Sequence, residues 1–263
     1  MKTDYQPNAL FNLQGRCALI TGGSRGLGLQ MARALGAAGA RVMLVARKAD
    51  SLQEAAESLK AEGIETDWIA ADVSEEQTIV DLAANTLSRL GRVDILVNNA
   101  GCSWGAPAED YPAAGWDKVF NLNMRGQFLL SREIGKHCMI PNRYGRILNI
   151  SSMSGLKGVM PEVMQAISYT TSKAALIGYT RSLAAEWGRY GITVNALAPG
   201  FFPSKLTKGT IEQVGEDQLT QNVPLHRLGG DEDLMGSALL FASNAGAHIT
   251  GQVLAIDGGA SIV

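Results

Sequence analysis

The chain has little with which to grip a polyanion or a metal ion. Its 23 Lys and Arg against 25 Asp and Glu leave a formal charge of −2, and no dense Lys/Arg run occurs. An electrostatic footprint for nucleic acid or anionic lipid is therefore missing. The three histidines, His137, His226 and His248, lack ligand-like spacing, which argues against a metal centre. Three cysteines, Cys17, Cys102 and Cys138, stand far apart and form no Cys-x-x-Cys pair. Neither a disulfide framework nor a zinc knuckle is signalled, and reduced thiols in a cytosol are expected. No apolar run approaches the ~18 residues that cross a bilayer. The opening MKTDYQPNALFNLQG carries an Asp and a Pro where a signal segment has an apolar core. The expected setting is the cytoplasm and the expected partner a small molecule. Internal repeats and low-complexity segments are also lacking.

What the chain does have is a repeated order of buried strand, turn and helix. With 46% hydrophobic residues and 30 glycines in 263 positions, it has enough apolar surface for one large core, and a single domain over 1–263 is expected. RCALIT, RVMLVA, TDWIAADV, RVDILV, GRILNISS, GITVNALAPG and QVLAID read as strands, with helical patterns between most of them. This alternation predicts an α/β fold, a doubly wound parallel sheet with helices on both faces and right-handed crossovers.

After the first strand comes Gly22-Gly23-Ser24-Arg25-Gly26-Leu27-Gly28, then a helical pattern. Such glycines let backbone approach a pyrophosphate, and the following helix start offers it free N–H groups. The second strand ends at Arg47, where a free ribose 2′-hydroxyl would call for an acid. Arg47 and Arg25 could together hold a 2′-phosphate instead, so NADP(H) is expected over NAD(H). Asp72, at the next strand end, could accept an adenine amine or cap the helix that begins near Glu75. Asn98-Asn99-Ala100-Gly101 ends the fourth strand with small and amide residues that leave room for a ligand and could bond it. A helix over about 113–137 carries Asn121 and Asn123, of which Asn123 is the better candidate for an interior role. Met153, Met160 and Met164 could line an apolar pocket or serve as core filler. Residues 201–229 read as a long irregular binding loop, and a last helix is expected from Asp231 to Ser243.

Ser168-Tyr169-Thr170-Thr171-Ser172-Lys173 opens a long helical run. Residues four apart share a helix face, so the Lys173 ammonium is expected near the Tyr169 phenol. Bringing a phenol from a pKa of about 10 to about 7 needs roughly 4 kcal/mol, about what two charges 4 Å apart supply at an effective dielectric of 20.

Taken together, TGGSRGLG at 21–28, NNAG at 98–101, Asn123, the ISS strand end, YTTSK at 169–173 and Pro199-Gly200 resemble the short-chain dehydrogenase/reductase family over essentially the whole chain. The resemblance implies a seven-stranded Rossmann sheet, a nicotinamide dinucleotide and a homotetramer or homodimer, packed through the helices of Asn123 and Tyr169. It implies that Tyr169 is the general acid/base, that Lys173 lowers its pKa and holds the nicotinamide ribose, and that Ser152 bonds the substrate oxygen, with Ser151 the other candidate. Asn123 would hold a water linked to the lysine. Gly22, Ser24, Arg25, Gly26, Leu27, Gly28, Arg47, Asp72, Val73, Asn99, Ala100, Gly101, Tyr169, Lys173, Pro199, Gly200, Phe202 and Ser204 would line the dinucleotide.

Two departures bear on substrate. The Ser152-to-Tyr169 spacing is longer than in many relatives and should bulge toward the substrate mouth. Ser204 replaces a common threonine, and Phe201 and Phe202 add bulk. The expected activity is interconversion of a ketone and a secondary alcohol. The substrate could be a 3-oxoacyl thioester or a polyol or sugar acid. A catalytically inactive dinucleotide sensor and a non-redox use of the cofactor, such as epimerisation, are the alternatives.

Overall fold

The structure, a computed structural model, describes residues 6–263. Strands β1 (Cys17–Thr21), β2 (Arg41–Ala46), β3 (Thr66–Ala70), β4 (Ile95–Asn98), β5 (Gly145–Ile150), β6 (Ile192–Pro199) and β7 (Val253–Ile256) form one sheet in the order β3-β2-β1-β4-β5-β6-β7. Every neighbouring pair is parallel, as the alternating pattern predicts. All residues of β1, β4, β5 and β6 are buried, because both faces of the sheet are covered and the strands need no polar side.

Successive side chains point to opposite faces. Ala18, Ile20, Val42 and Leu44 pack with Leu35 of α1 (Gly26–Ala37), Leu52 of α2 (Ala49–Ala61) and Phe241 of the last helix. Leu19, Met43 and Val45 pack on the other side with Leu82 of α3 (Glu76–Leu90), Leu130 of the helical run between β4 and β5, and Trp187. Fully burying one such side chain contributes about 1.5–3 kcal/mol.

The helix expected over 113–137 is present and continues to Asn142, but it is not one regular helix. It comprises α4 (Ala113–Phe120), a wider π-helical turn at Asn121–Gly126, α5 (Gln127–Ile134) and a second wide turn at Gly135–Met139. Helix α6 (Ile167–Trp187) buries Ser168, Ser172, Leu176, Thr180, Leu183 and Trp187 along one stripe, with small hydroxyl residues at the end nearest the strand termini. Residues 201–229, read as irregular, hold two short helices, α7 (Lys208–Val214) and α8 (Glu216–Thr220). The last helix, α9 (Met235–Ala242), starts later than Asp231. The Asp233 carboxylate is drawn instead to Arg227 and accepts the Gly230 N–H at 2.7 Å.

The strand order reverses between β1 and β4, and the crevice beyond their carboxyl ends is where ligands lie in such sheets. Among the described residues no helix is long and apolar enough to cross a membrane.

Candidate active site

The β1–α1 turn is shaped to admit a phosphate-bearing group. Gly22 holds φ +65, and a Cβ there would lie 2.7 Å from Asn99 Nδ2. A Cβ on Gly28 would stand 2.6 Å from the same atom and inside the Gly22 carbonyl. Side chains at these places would fill the cradle. Arg25 caps α1 without a side-chain hydrogen bond, so the first N–H groups of the helix keep their pull on an anion. Ser204 approaches from the far loop, 3.8 Å from where a Gly26 Cβ would be. The residues present therefore fit a dinucleotide pyrophosphate.

The side-chain amides of the fourth strand end donate within the fold. Asn98 donates inside the core to Ser131 Oγ (3.0 Å) and Asn149 Oδ1 (2.9 Å). Asn99 donates to the carbonyls of Thr21 (3.0 Å) and Gly22 (3.2 Å), so its amide shapes the glycine turn. Thr21, which the sequence reading overlooked, ties the two strand ends by accepting the N–H groups of Asn99 and Ala100 at 3.0 Å. Its place as the first residue of the TGG run was the available signal.

At the adenosine end, Arg47 is exposed, its guanidinium 3.9 Å from Asp72. Asp72 accepts from Ser74 N–H (3.0 Å) and Ser74 Oγ (2.8 Å) and so shapes the turn ahead of α3, but it does not cap that helix, whose cap position is Glu75. Val73 is buried in the core cluster under α3. The Phe202 side chain is also buried in the core and packs on Gly229, which leaves only its backbone for a ligand. Its carbonyl accepts Thr207 Oγ1 at 2.5 Å, and Thr207 in turn holds Ser204 through hydroxyls 2.9 Å apart.

The four residues proposed for chemistry gather at the carboxyl ends of β4 and β5. Asn123 is fully buried in its wide helical turn. It accepts the Cys102 N–H at 2.9 Å, and its amide donates to the Cys102 carbonyl (2.9 Å) and Ser172 Oγ (3.0 Å). The two candidate serines differ in their surroundings. Ser151 is buried and donates to the Lys173 carbonyl at 2.8 Å, bolting β5 to α6, whereas Ser152 lines a cavity of about 450 Å³ together with Tyr169. Ser154, also unforeseen, sits 2.8 Å from the Ser152 hydroxyl. Met153 and Met164 line this cavity, but Met160 is 68% exposed and does not. The extra residues before α6 do wall its mouth, held by the Ala106 N–H on the Gln165 carbonyl at 2.9 Å.

Burial acts on both members of the Tyr169 and Lys173 pair. Lys173 Nζ lies 5.6 Å from the Tyr169 ring centre and donates to the Ile150 carbonyl at 2.7 Å. Burial pushes the Tyr169 phenol up, and a hydrogen bond with Ser152 draws it down. The lysine itself is pushed down from 10.5 to about 8 by burial, because no carboxylate compensates its charge. In the unfolded chain this ammonium stays protonated to higher pH, so folding stability rises with pH between about 8 and 10.5. Lys173→Met removes that dependence. Its stability relative to wild type should be higher at pH 7 and fall by roughly 3 kcal/mol toward pH 10.5. Urea unfolding at both pH values checks this, and a constant difference would refute the burial argument.

Comparison with known proteins decides the family. The family described as short chain dehydrogenase matches residues 16–215. The chain belongs to the short-chain dehydrogenase/reductase family. These oxidoreductases include a gluconate 5-dehydrogenase of Gluconobacter oxydans, 36% identical over 96% of this chain and 97% of that protein. A rhamnolipid-biosynthesis 3-oxoacyl-[acyl-carrier-protein] reductase of Pseudomonas aeruginosa is 40% identical over 95% of this chain and 97% of that one. Among solved structures, a gluconate 5-dehydrogenase from Burkholderia cenocepacia, in complex with NADP and tartrate, superposes with a TM-score of 0.92 at 33% identity, covering 98% of this chain and all of that one. The seven-stranded sheet of this short-chain dehydrogenase/reductase, expected from the strand pattern, agrees with these neighbours.

Proposed function

We propose that this protein is an NADP(H)-dependent oxidoreductase that interconverts a ketone and a secondary alcohol. The observation that carries the reading is the cavity lined by both Ser152 and Tyr169, beside a buried lysine and a glycine cradle. The residues that would hold the dinucleotide are the β1–α1 turn with Arg25, Arg47 and Asp72 at the adenosine end, Ala100 and Gly101, Lys173, and the Pro199–Ser204 segment. When bound, the nicotinamide supplies or accepts the hydride.

The chain's own part is protonic and electrostatic. Tyr169 gives a proton to the substrate oxygen during reduction and takes it back during oxidation. Ser152 donates to the same oxygen, where negative charge builds as the carbonyl is reduced. Asn123 fixes the Cys102 backbone and α6 relative to one another, which keeps Lys173 beside the phenol. NADPH oxidation assayed with ketones, keto-sugars and β-ketoacyl thioesters tests the reading, and NADPH binding without turnover of any of them would refute it.

Arg47 supports NADP(H) through its position at the β2 end, with Arg25 exposed in the glycine turn. Arg47→Asp is expected to weaken NADPH binding relative to NADH by roughly 10- to 100-fold, the worth of one charge-assisted contact. Titrating both cofactors checks this, and an unchanged ratio would remove the argument. We also read the chain as one domain in a cytoplasmic homotetramer or homodimer. Phe128 on α5 is 43% exposed and meets Tyr179 of α6 edge-on at 6.2 Å, an apolar outer face suited to a second copy.

A further inference from the structure

The cavity beside Tyr169 carries a charge pattern that bears on which ketone enters it. One lining residue bears a formal charge, Glu162. Other polar lining groups are hydroxyls and amides, among them Ser103, Ser154, Thr210, Gln165 and Gln213, which can both donate to and accept from substrate hydroxyls. Glu162 sits in a turn closed by the N–H groups of Val163 (3.0 Å) and Met164 (3.1 Å) on the Met160 carbonyl.

Glu162 is exposed, and no cation lines the cavity beside it. Among the described residues, none of the ion pairs involves Glu162. Of the lysines on the two segments that wall the cavity, Lys205 is exposed and does not line it, and the other two are engaged elsewhere. Lys157 donates to the carbonyls of Ala260 and Val263 at the chain end, and Lys208 pairs with Glu212 at 3.7 Å. A substrate carboxylate entering here would meet no positive lining residue and would face a like charge.

Resting on the proposed oxidoreductase activity, we infer that Glu162 makes this site select a neutral, hydroxylated ketone or alcohol and reject its carboxylated analogue. Selectivity then comes from a built-in repulsion as well as from matched hydrogen bonds. A volume of about 450 Å³ suits a small molecule of that kind. Several relatives are named for sugar acids, so the inference separates this chain's preference from that of similar proteins.

The test compares kcat/KM for fructose and for the keto-acid derived from gluconate, with NADPH, in wild type, Glu162→Gln and Glu162→Asp. Wild type should favour fructose. Glu162→Gln should move the ratio toward the keto-acid by about fivefold, the effect of one charge about 4 Å away in a water-like dielectric. Raising salt from about 0.1 to 1 M should move the wild-type ratio the same way, because screening shortens from about 10 to 3 Å. The Gln variant's ratio should stay flat, and Glu162→Asp should keep the wild-type ratio. A wild type that prefers the keto-acid, a ratio unmoved by Glu162→Gln, or reduction of other ketones but of neither sugar overturns the inference while the oxidoreductase reading stands. Failure to oxidise NADPH with any ketone overturns that reading itself.

Discussion

Tyr169→Phe is expected to leave NADPH binding nearly intact and to lower kcat by about 10²- to 10⁴-fold, the usual worth of a positioned general acid or base. The substitution keeps the ring and its packing, so loss of turnover cannot be assigned to misfolding. The hydroxyl it deletes is the one group on α6 that shares the cavity with Ser152. A companion measurement locates the electrostatics. Since burial raises the Tyr169 phenol and Ser152 pulls it down, residual alcohol oxidation in Ser152→Ala should need higher pH than in wild type, because the phenolate forms later. Wild-type kcat in the Phe variant would eliminate Tyr169 as the proton carrier. A pH profile unmoved in Ser152→Ala would eliminate Ser152 as the group that tunes it.

Gly28→Ala should be the most damaging single methyl group in the dinucleotide cleft. The added carbon would stand 2.9 Å from the Gly22 carbonyl carbon and 2.6 Å from Asn99 Nδ2. Neither neighbour can give way cheaply. Gly22 is backbone in a left-handed turn, and Asn99 is held by that turn's carbonyls. Overpacking of this kind typically costs about 1–3 kcal/mol, which in a chain this long lowers Tm by several degrees. The larger effect is on binding. Saturating NADPH at about 100 times its Kd stabilises a competent protein by about 2.7 kcal/mol, and the variant should show almost none of the resulting shift in Tm. A full NADPH-induced shift in Gly28→Ala would mean that the turn does not cradle the phosphates.

The strands β1, β4, β5 and β6 were legible because each is buried on both faces and reads as a mainly apolar run. The glycine turn and Tyr169-x-x-x-Lys173 were legible because local geometry alone places them. Asn123 could be singled out as a polar residue within an apolar run. Its wide helical turn could not, since one extra residue per turn leaves the apolar period almost unchanged over so short a stretch. Depth of burial is also a property of the fold. Four-residue spacing puts Lys173 on the face of Tyr169, yet only tertiary packing reveals that the lysine is 3% exposed and bonded to Ile150. For the same reason the amides of Asn98 and Asn99 looked available for a ligand, until their partners inside the fold were known. Residues 201–229 gave weak periodicity because α7 and α8 are seven and five residues long, too short for an apolar stripe to repeat.

The bond from Ser151 to the Lys173 carbonyl has a consequence for how this protein can change. It fastens the strand bearing one reactive side chain to the helix bearing two others, so their mutual spacing belongs to the rigid centre of the molecule. The walls of the adjoining cavity come from other parts of the chain, the stretch before α6 and the loop after β6. Selection could therefore redraw the range of acceptable alcohols through those walls, exchange by exchange, while the proton-handling apparatus is inherited untouched.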